Sequence, residues 1–171
     1  EKADIGFAFD GDGDRLIVVD DKGNEIDGDK IIALFAKYLI NNKKNNSKFP
    51  VITTVMSNLG LENFLLKDLG IKLKRSAVGD INVIEEMKKN KSFLGGEQSG
   101  HIILSDFSKT GDGILAALKI TEIISIIKKS ASKIFDLYNN FPQIKVNISY
   151  KKLFNKVKKK IKDLNKKNDK D

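Results

Sequence analysis

The sequence predicts an α/β fold in which a mixed sheet is layered with helices. Short apolar or β-branched runs of strand length alternate along the chain with longer segments whose apolar residues follow helical spacing. Glycine, asparagine and aspartate cluster between these segments, as they do in turns. The 171 residues are 40% hydrophobic and 32% charged, which is enough apolar material for the core of one ordinary domain.

The first part of the chain contains three strand-like runs and two helix-like segments. The expected strands are Ile5–Phe9, Leu16–Val19 and the β-branched run Val51–Met56. The expected helices cover 31–39, capped by Asp29, and 59–69, capped by Ser57 or Asn58. Gly70 can end the second helix, since glycine readily adopts the left-handed conformation found there. Asp21–Asn24 is a predicted turn, and Asn41–Lys48 is a polar connector.

The second part continues the alternation and ends in a lysine-rich segment. The expected strands are Ile71–Leu73, Phe93–Leu94, Ile102–Leu104 and Ile144–Ser149. The expected helices are one led by Asp80, a long one over Gly111–Lys128 capped by Thr110, and a shorter one near Ser132–Tyr138. Phe141–Pro142 breaks the shorter helix, and Leu153–Leu164 has the apolar stripe of an amphipathic helix.

Charge and composition exclude several function classes. No apolar run approaches the about 20 residues that cross a bilayer, and no signal peptide opens the chain. The chain has no cysteine, which excludes disulfides and thiolate chemistry and fits a cytoplasmic protein best. The net charge is +8, but residues 151–171 alone contribute +7, so the folded part is nearly neutral. We therefore expect no specific nucleic-acid partner and no membrane partner.

The segment Asp10–Arg15 carries the strongest chemical signal. Three carboxylates alternate with two glycines directly after the first expected strand, so the backbone can turn tightly and the carboxylates can converge. Three such charges repel one another unless a hard cation such as Mg²⁺ binds them. A calcium EF-hand loop is disfavoured because Arg15 and Asp21 occupy positions that require glycine and glutamate. A solvated turn stays an alternative, but Arg15 favours a site that also holds a phosphate.

A second polar loop, Gly95–His101, lies between two expected strands. Glu97 can accept hydrogen bonds from two hydroxyls, Ser99 can both donate and accept, and His101 is the only histidine. Such a set suits a sugar with neighbouring hydroxyl groups, although a tight turn with a satisfied histidine is the structural alternative. A serine nucleophile is disfavoured because the loop does not contain the Gly-x-Ser-x-Gly motif of serine hydrolases.

Both loops together resemble the phosphohexomutase superfamily. Its metal loop reads Asp-Gly-Asp-Gly-Asp-Arg and its sugar loop reads Gly-Glu-x-Ser-Gly-His, and both are intact here. The finer resemblance, over roughly residues 4–150, is to the bacterial phosphoglucosamine mutase branch. It is carried by Thr54–Leu61, Gly96–His101, Thr110–Gly113 and Phe141–Gln143. The resemblance implies one complete α/β domain of the superfamily type plus fragments of its neighbours.

The resemblance also implies domain boundaries and residue roles. Residues 1–23 would end the second domain with the metal loop, 24–140 would form the third, sugar-binding domain, and 141–171 would begin the fourth. It implies that Asp10, Asp12 and Asp14 ligate Mg²⁺ and that Glu97 and Ser99 hold sugar hydroxyls. It further implies that Arg15 and His101 face the reacting phosphate and hydroxyl, as substrate-binding and catalytic residues. The implied activity is isomerisation of glucosamine 6-phosphate and glucosamine 1-phosphate.

Three departures from the superfamily pattern accompany these motifs. The phosphoserine motif Ser-His-Asn of the first domain and the phosphate-clamping Arg-x-Ser-Gly-Thr motif of the fourth are absent from the chain. Ile81 stands where the superfamily usually has an arginine. The chain alone is therefore expected to be inactive, with the first and fourth domains as missing partners. The alternatives are a non-catalytic metal- or phosphosugar-binding remnant and a piece of a phosphomannomutase or phosphoglucomutase.

Overall fold

The computed structural model of the chain describes residues 2–40 and 49–146. Glu1–Phe141 forms one compact unit, and of a second unit, Pro142–Asp171, only residues 142–146 are described. The expected connector at Asn41–Lys48 and the expected helix at Leu153–Leu164 lie outside the described residues. In the part of the chain described here, no helix combines the length and the apolar character that a membrane crossing requires.

A small antiparallel sheet opens the compact unit. Its strands are β1 (Gly6–Phe9), β2 (Leu16–Val19) and β3 (Glu25–Ile26), in that order. Phe9 pairs with Leu16 at the end of the β1–β2 ladder, so residues 10–15 form the connection of this hairpin. The two-residue strand β3 was not predicted, because so short a segment shows no alternating pattern.

A mixed four-stranded sheet forms the centre of the unit and confirms the predicted fold class. Its strands are β4 (Val51–Thr54), β5 (Leu73–Ser76), β6 (Leu94–Gly96) and β7 (Ile102–Leu104). The order is β5-β4-β6-β7, with β4 parallel to β5 and β6, and β7 antiparallel to β6 at one edge. The carboxyl ends of β4, β5 and β6 therefore meet at one edge of the sheet, where ligands of open α/β sheets bind.

Five α-helices accompany the sheets within the described residues. They are α1 (Gly28–Phe35), α2 (Leu59–Leu69), α3 (Asp80–Asn90), α4 (Gly113–Ile127) and α5 (Ala131–Phe135). A π-helical turn, Ala36–Ile40, continues α1. As predicted, Asn58 caps α2 with its side chain, and Gly70 ends that helix in the left-handed conformation at φ 67°.

The core lies on both faces of the mixed sheet. Side chains of β4, β6 and β7 alternate between the faces: Val51, Leu94 and Leu104 contribute to a large cluster shared with α1, α2, α4 and α5. Ile52 and Ile103 point to the other face and form a small cluster with Val83 and Met87 of α3. Within the described residues, α3 is thus the helix that packs on this second face.

Two predicted helix caps are wrong by two residues. Asp27, not Asp29, caps α1, because the Asp27 carboxylate accepts the N–H of Lys30 at 3.0 Å. Asp112, not Thr110, caps α4 by accepting the N–H of Leu115 at 2.8 Å. Asp29 lies inside α1, fully buried, where it accepts the N–H of Asn58 at 2.7 Å. Several residues near each helix start can cap, and tertiary packing decides between them.

Other predicted boundaries also differ from the structure. β5 begins at Leu73 rather than at Ile71, because Ile71 is buried and donates its N–H to the carbonyl of Leu65 at the end of α2. α5 ends at Phe135, before the predicted Tyr138. Residues 144–146 form no strand and are exposed, and the rest of the predicted strand lies outside the described residues. Residues 144–146 have no neighbouring strand within the described ranges, so they lack the hydrogen bonds that make a strand.

Candidate functional site

The β1–β2 connection brings three carboxylates together, as its sequence predicts. One oxygen from each of Asp10, Asp12 and Asp14 lies within 4.8 Å of the other two. The loop turns at Gly13, which has a positive φ of 73° and donates its N–H to the carbonyl of Asp10 at 3.2 Å. Gly13 thus lets the chain reverse while the three carboxylates stay close together.

Arg15 balances part of the charge of this loop. Its Nε atom lies 3.1 Å from Oδ2 of Asp10 and 3.7 Å from Oδ1 of Asp14. The backbone N–H of Arg15 donates to Oδ1 of Asp10 at 3.1 Å, and this bond holds the pKa of Asp10 below its ordinary value. Burial raises the pKa of Asp14, against the lowering effect of His101, and the Asp12 and Asp10 carboxylates raise it further.

The loop fits a hard divalent cation. Its donors are three carboxylate oxygens, the ligands that Mg²⁺ prefers, and they lie within 4.8 Å of one another, so one ion can gather all three. Oδ1 of Asp14 is also buried without a hydrogen-bond partner in the described residues. A buried carboxylate oxygen normally has a partner, so this atom is an independent indication that a ligand belongs there.

His101 joins the second loop to the first. Its Nδ1 atom lies 2.9 Å from Oδ2 of Asp14, and the residue is only 2% exposed. The ring packs against the backbone of Gly111, where a Cβ atom would lie 2.4 Å from ring atoms Cε1 and Nε2. Nε2 is buried and has no hydrogen-bond partner among the described residues. His101 is therefore a rigid contact of Asp14 and not a side chain on an open surface of the described residues.

Backbone hydrogen bonds hold the second loop against the hairpin and α1. Leu16 donates to the carbonyl of Gly100 at 3.1 Å, and Gly28 donates to the carbonyl of Gln98 at 2.9 Å. Gly100 has a φ of 93°, and a side chain there would collide with the carbonyl oxygen of Leu16, 2.1 Å from its Cβ position. Close backbone contacts thus fix the position of the two loops relative to each other.

The predicted sugar-binding side chains, Glu97 and Ser99, lie in the loop that follows β6. Oε1 of Glu97 accepts the N–H of Gly79 at 3.0 Å, so the loop after β5 orients the Glu97 carboxylate. Within the described residues, its second oxygen makes no hydrogen bond, and Ser99 is exposed. Gln98 reaches Oδ2 of Asp27 at a long 3.5 Å. Glu97 and Ser99 are therefore available to hydroxyl groups of a ligand.

The amino end of α4 packs the two loops together, a role that sequence reasoning missed. Gly111 contacts the His101 ring, and Gly113 donates its N–H to the carbonyl of Gly13 at 3.0 Å. A Cβ atom at Gly113 would lie 2.9 Å from the carbonyl oxygens of Gly13 and Arg15. The segment Thr110–Gly113 was interpreted as the start of a helix, and its two glycines were the available signal for such close packing.

Comparisons with known proteins identify the family of the chain. The family described as phosphoglucomutase/phosphomannomutase, alpha/beta/alpha domain III, matches residues 27–141. The chain is 53% identical over 149 residues to a phosphoglucosamine mutase of Nautilia profundicola, covering 86% of this chain and 33% of the relative. A crystal structure of a phosphoglucomutase/phosphomannomutase family protein from Burkholderia thailandensis superposes with a TM-score of 0.73. It is 29% identical, and the match covers 81% of this chain and 30% of that one.

A further structure shows a similar fold at low identity. It is Aspergillus fumigatus N-acetylphosphoglucosamine mutase in complex with GlcNAc-6P and magnesium, 18% identical with a TM-score of 0.65, covering 80% of this chain and 36% of that one. The chain spans about one third of the length of the curated relatives it matches. The resemblance inferred from the two loops is confirmed by these matches.

Proposed function

The chain belongs to the phosphoglucomutase/phosphomannomutase family, and we propose that it is part of a phosphoglucosamine mutase. Such an enzyme interconverts glucosamine 6-phosphate and glucosamine 1-phosphate through a phosphoserine, which here would lie outside this chain. The observation that carries the proposal is the contact between the two predicted loops, Asp14 Oδ2 to His101 Nδ1 at 2.9 Å. Relatives at 51–53% identity bear that name, which supports glucosamine over the other sugars of the family.

In this proposal Asp10, Asp12 and Asp14 hold Mg²⁺. When bound, the cation would neutralise negative charge on the transferring phosphoryl group. His101 acts as a positioning residue in this arrangement, because its hydrogen bond fixes one oxygen of Asp14 and leaves the other for the ion. Arg15 keeps its terminal N–H groups without a partner in the described residues, and a phosphate can accept two hydrogen bonds from them.

Glu97 and Ser99 hold the sugar. Gly79 fixes one Glu97 oxygen, which leaves the other to accept from a hydroxyl, and the exposed Ser99 can donate or accept. Substrate enters from the solvent side of the sugar loop, where Ser99 is exposed, whereas the His101 ring stays buried behind the loop against Gly111. The expected domain boundaries, 1–23, 24–140 and 141–171, belong to this proposal.

The partners in this proposal are a phosphosugar and the first and fourth domains of the same enzyme. The chain itself contributes no phosphoserine motif, so the purified chain should show no turnover. We place the protein in the cytoplasm, because hexose phosphates are charged metabolites that do not cross a lipid bilayer.

A chimera tests the proposal directly. Residues 4–141 of this chain would replace the matching third of the Nautilia profundicola relative, which supplies the remaining domains. We expect the chimera to convert glucosamine 6-phosphate with a higher kcat/KM than glucose 6-phosphate or mannose 6-phosphate. A preference for mannose or glucose phosphate would instead identify a phosphomannomutase or phosphoglucomutase piece. If the chimera folds but shows no turnover, even with arginine in place of Ile81, the result would support a non-catalytic remnant.

A non-catalytic binding remnant is the second candidate, and the presence of Ile81 in place of an arginine favours it. It lies in the first turn of α3, two residues after the Gly79 N–H that holds Glu97, and it is 66% exposed. An arginine at this exposed position can reach a phosphate beside the sugar loop. We therefore expect Ile81→Arg in the chimera to lower KM about tenfold, a gain typical of one hydrogen bond to a charged group, with little change in kcat.

The matched control is Ile81→Gln, which adds a polar side chain of similar length without the charge. Steady-state kinetics at two salt concentrations should show the tenfold effect for arginine alone, and it should shrink at high salt. An equal effect of glutamine and arginine would contradict a charge-based role for position 81.

A further inference from the structure

A trough beside the carboxyl-terminal half of α3 is lined by residues outside the two loops. It encloses about 310 Å³ between α3 and β7, the edge strand of the mixed sheet. The first turn of α3 lies beside Glu97, whereas the trough is lined by residues of this 11-residue helix from Ile84 onward. None of the residues that line the trough belongs to Asp10–Arg15 or Gly95–His101, so the trough is separate from the proposed metal and sugar loops.

The floor of the trough is apolar because α3 covers only part of its sheet face. Met87 and Ile103 belong to the small core cluster there, and the half-buried Ile84 packs against it. Toward the edge strand these side chains border the open space of the trough, and no other helix of the described residues lines it. An apolar floor of this kind gains free energy when a ligand with an apolar body excludes water from it.

Three lysines surround this floor. Lys88 and Lys91 extend the α3 stripe that begins at Ile84 and Met87, at helical spacing, and Lys109 approaches from the loop after β7. None of the three ammonium groups forms an ion pair with an acidic residue of the described ranges. Among the described residues no carboxylate lines the trough, so the charged groups of its lining there are the three lysines.

The other polar groups of the trough are already engaged. The single hydroxyl proton of Ser92 lies between the backbone carbonyls of Pro50 and Leu94, at Oγ distances of 2.6 and 2.9 Å, and the hydroxyl of Ser105 donates to the carbonyl of Ser92 at 3.2 Å. The lysines are thus the free donors. The dipole of α3 places the equivalent of about half a negative charge at its carboxyl end, which is less than the three positive charges of the lysines.

We propose that this trough binds a small organic anion with an apolar body, such as a carboxylate, sulfonate or phosphate ester on an aromatic or aliphatic group. The apolar part lies on Ile84, Met87 and Ile103, and the anionic group lies among the lysines. The volume is at the lower end of the range of small-molecule sites, which suits a ligand of one or two rings. The chain's own segment 151–171 is a poor occupant, because its net charge of +7 has the same sign as the rim.

The test uses the full 171-residue chain and anilinonaphthalene sulfonate, which combines fused rings with one sulfonate. Fluorescence titration gives the Kd, and amide chemical shifts map the location. We expect saturable binding with shifts concentrated at Ile84, Ile103 and Ser105. Replacing Lys88, Lys91 and Lys109 together with glutamine should raise Kd at least tenfold.

Two controls separate this site from general attraction to a basic protein. Replacing Lys67, Lys72 and Lys129 with glutamine removes the same charge from exposed positions outside the trough and should change Kd less than twofold. Sodium sulfate at equal ionic strength should not displace the probe, because it lacks the apolar body. Equal weakening by both triple variants, displacement by sulfate, or shifts located elsewhere would each overturn the proposal.

Discussion

Gly111→Ala is expected to disrupt the junction of the two loops and to destabilise the chain by about 2 kcal/mol, as overpacking of a filled site does. The new Cβ atom would lie 2.4 Å from Cε1 and Nε2 of the His101 ring. The ring cannot move away freely, because it is buried and its Nδ1 atom is bonded to Asp14. We also expect weaker Mg²⁺ binding, since Asp14 loses its fixed orientation.

Gly11→Ala is the matched control for this prediction. It lies in the aspartate loop itself, but no atom lies within 4 Å of its Cβ position and its φ is not positive. Urea unfolding should show a stability loss for Gly111→Ala only, and calorimetry should show weaker Mg²⁺ binding for the same variant. Equal behaviour of the two variants would contradict the role assigned to the contact between Gly111 and His101.

Asp29→Asn is expected to change the pH dependence of stability by about 3 kcal/mol. Burial raises the pKa of Asp29 from 3.8 to about 6, with smaller opposing effects from the hydrogen bond of Asn58 and from Ser57. The folded state therefore holds this proton more tightly than the unfolded state. Asp29 contributes stability below pH 4 that is lost as the pH rises through 6, by about 1.4 kcal/mol for each unit of the difference.

Asparagine removes this titration while its side-chain oxygen can still accept the N–H of Asn58. We expect the free energy of unfolding of the variant, relative to the unmodified chain, to rise by about 2 kcal/mol of this total between pH 4 and 7. Urea unfolding of both proteins at several pH values measures this difference. The effects of the other carboxylates are the same in both proteins and therefore cancel when the two are subtracted. Parallel curves for the two proteins would show that Asp29 does not titrate in this range.

The features that the sequence predicted correctly are local ones. The Asp10–Arg15 loop follows from residue types that are adjacent in the chain, and its carboxylates do converge. Asn58 and Gly70 mark the ends of α2 through short-range hydrogen bonding and backbone freedom. The mixed sheet follows from the alternation of strand-like and helix-like segments.

The features that were missed depend on contacts between distant segments. Asp29 was interpreted as a helix cap. Its true role, a buried hydrogen bond with Asn58, joins residues 29 positions apart and leaves no local signal in the sequence. β5 has a polar sequence that does not resemble a buried strand, yet Arg75 is held by the carbonyl of Ser57 and the carboxylate of Glu62. The bond from Gly79 to Glu97 likewise has no local signature.

The central claim is that the aspartate loop of this chain is a preformed Mg²⁺ site. Titration calorimetry of the purified chain with MgCl₂ tests it most directly, with Asp12→Ala as the loss variant and Asp68→Ala, an exposed aspartate on α2, as the control of equal charge. The account predicts one saturable site that Asp12→Ala abolishes and Asp68→Ala preserves. Absence of saturable binding, or equal binding by both variants, would contradict it.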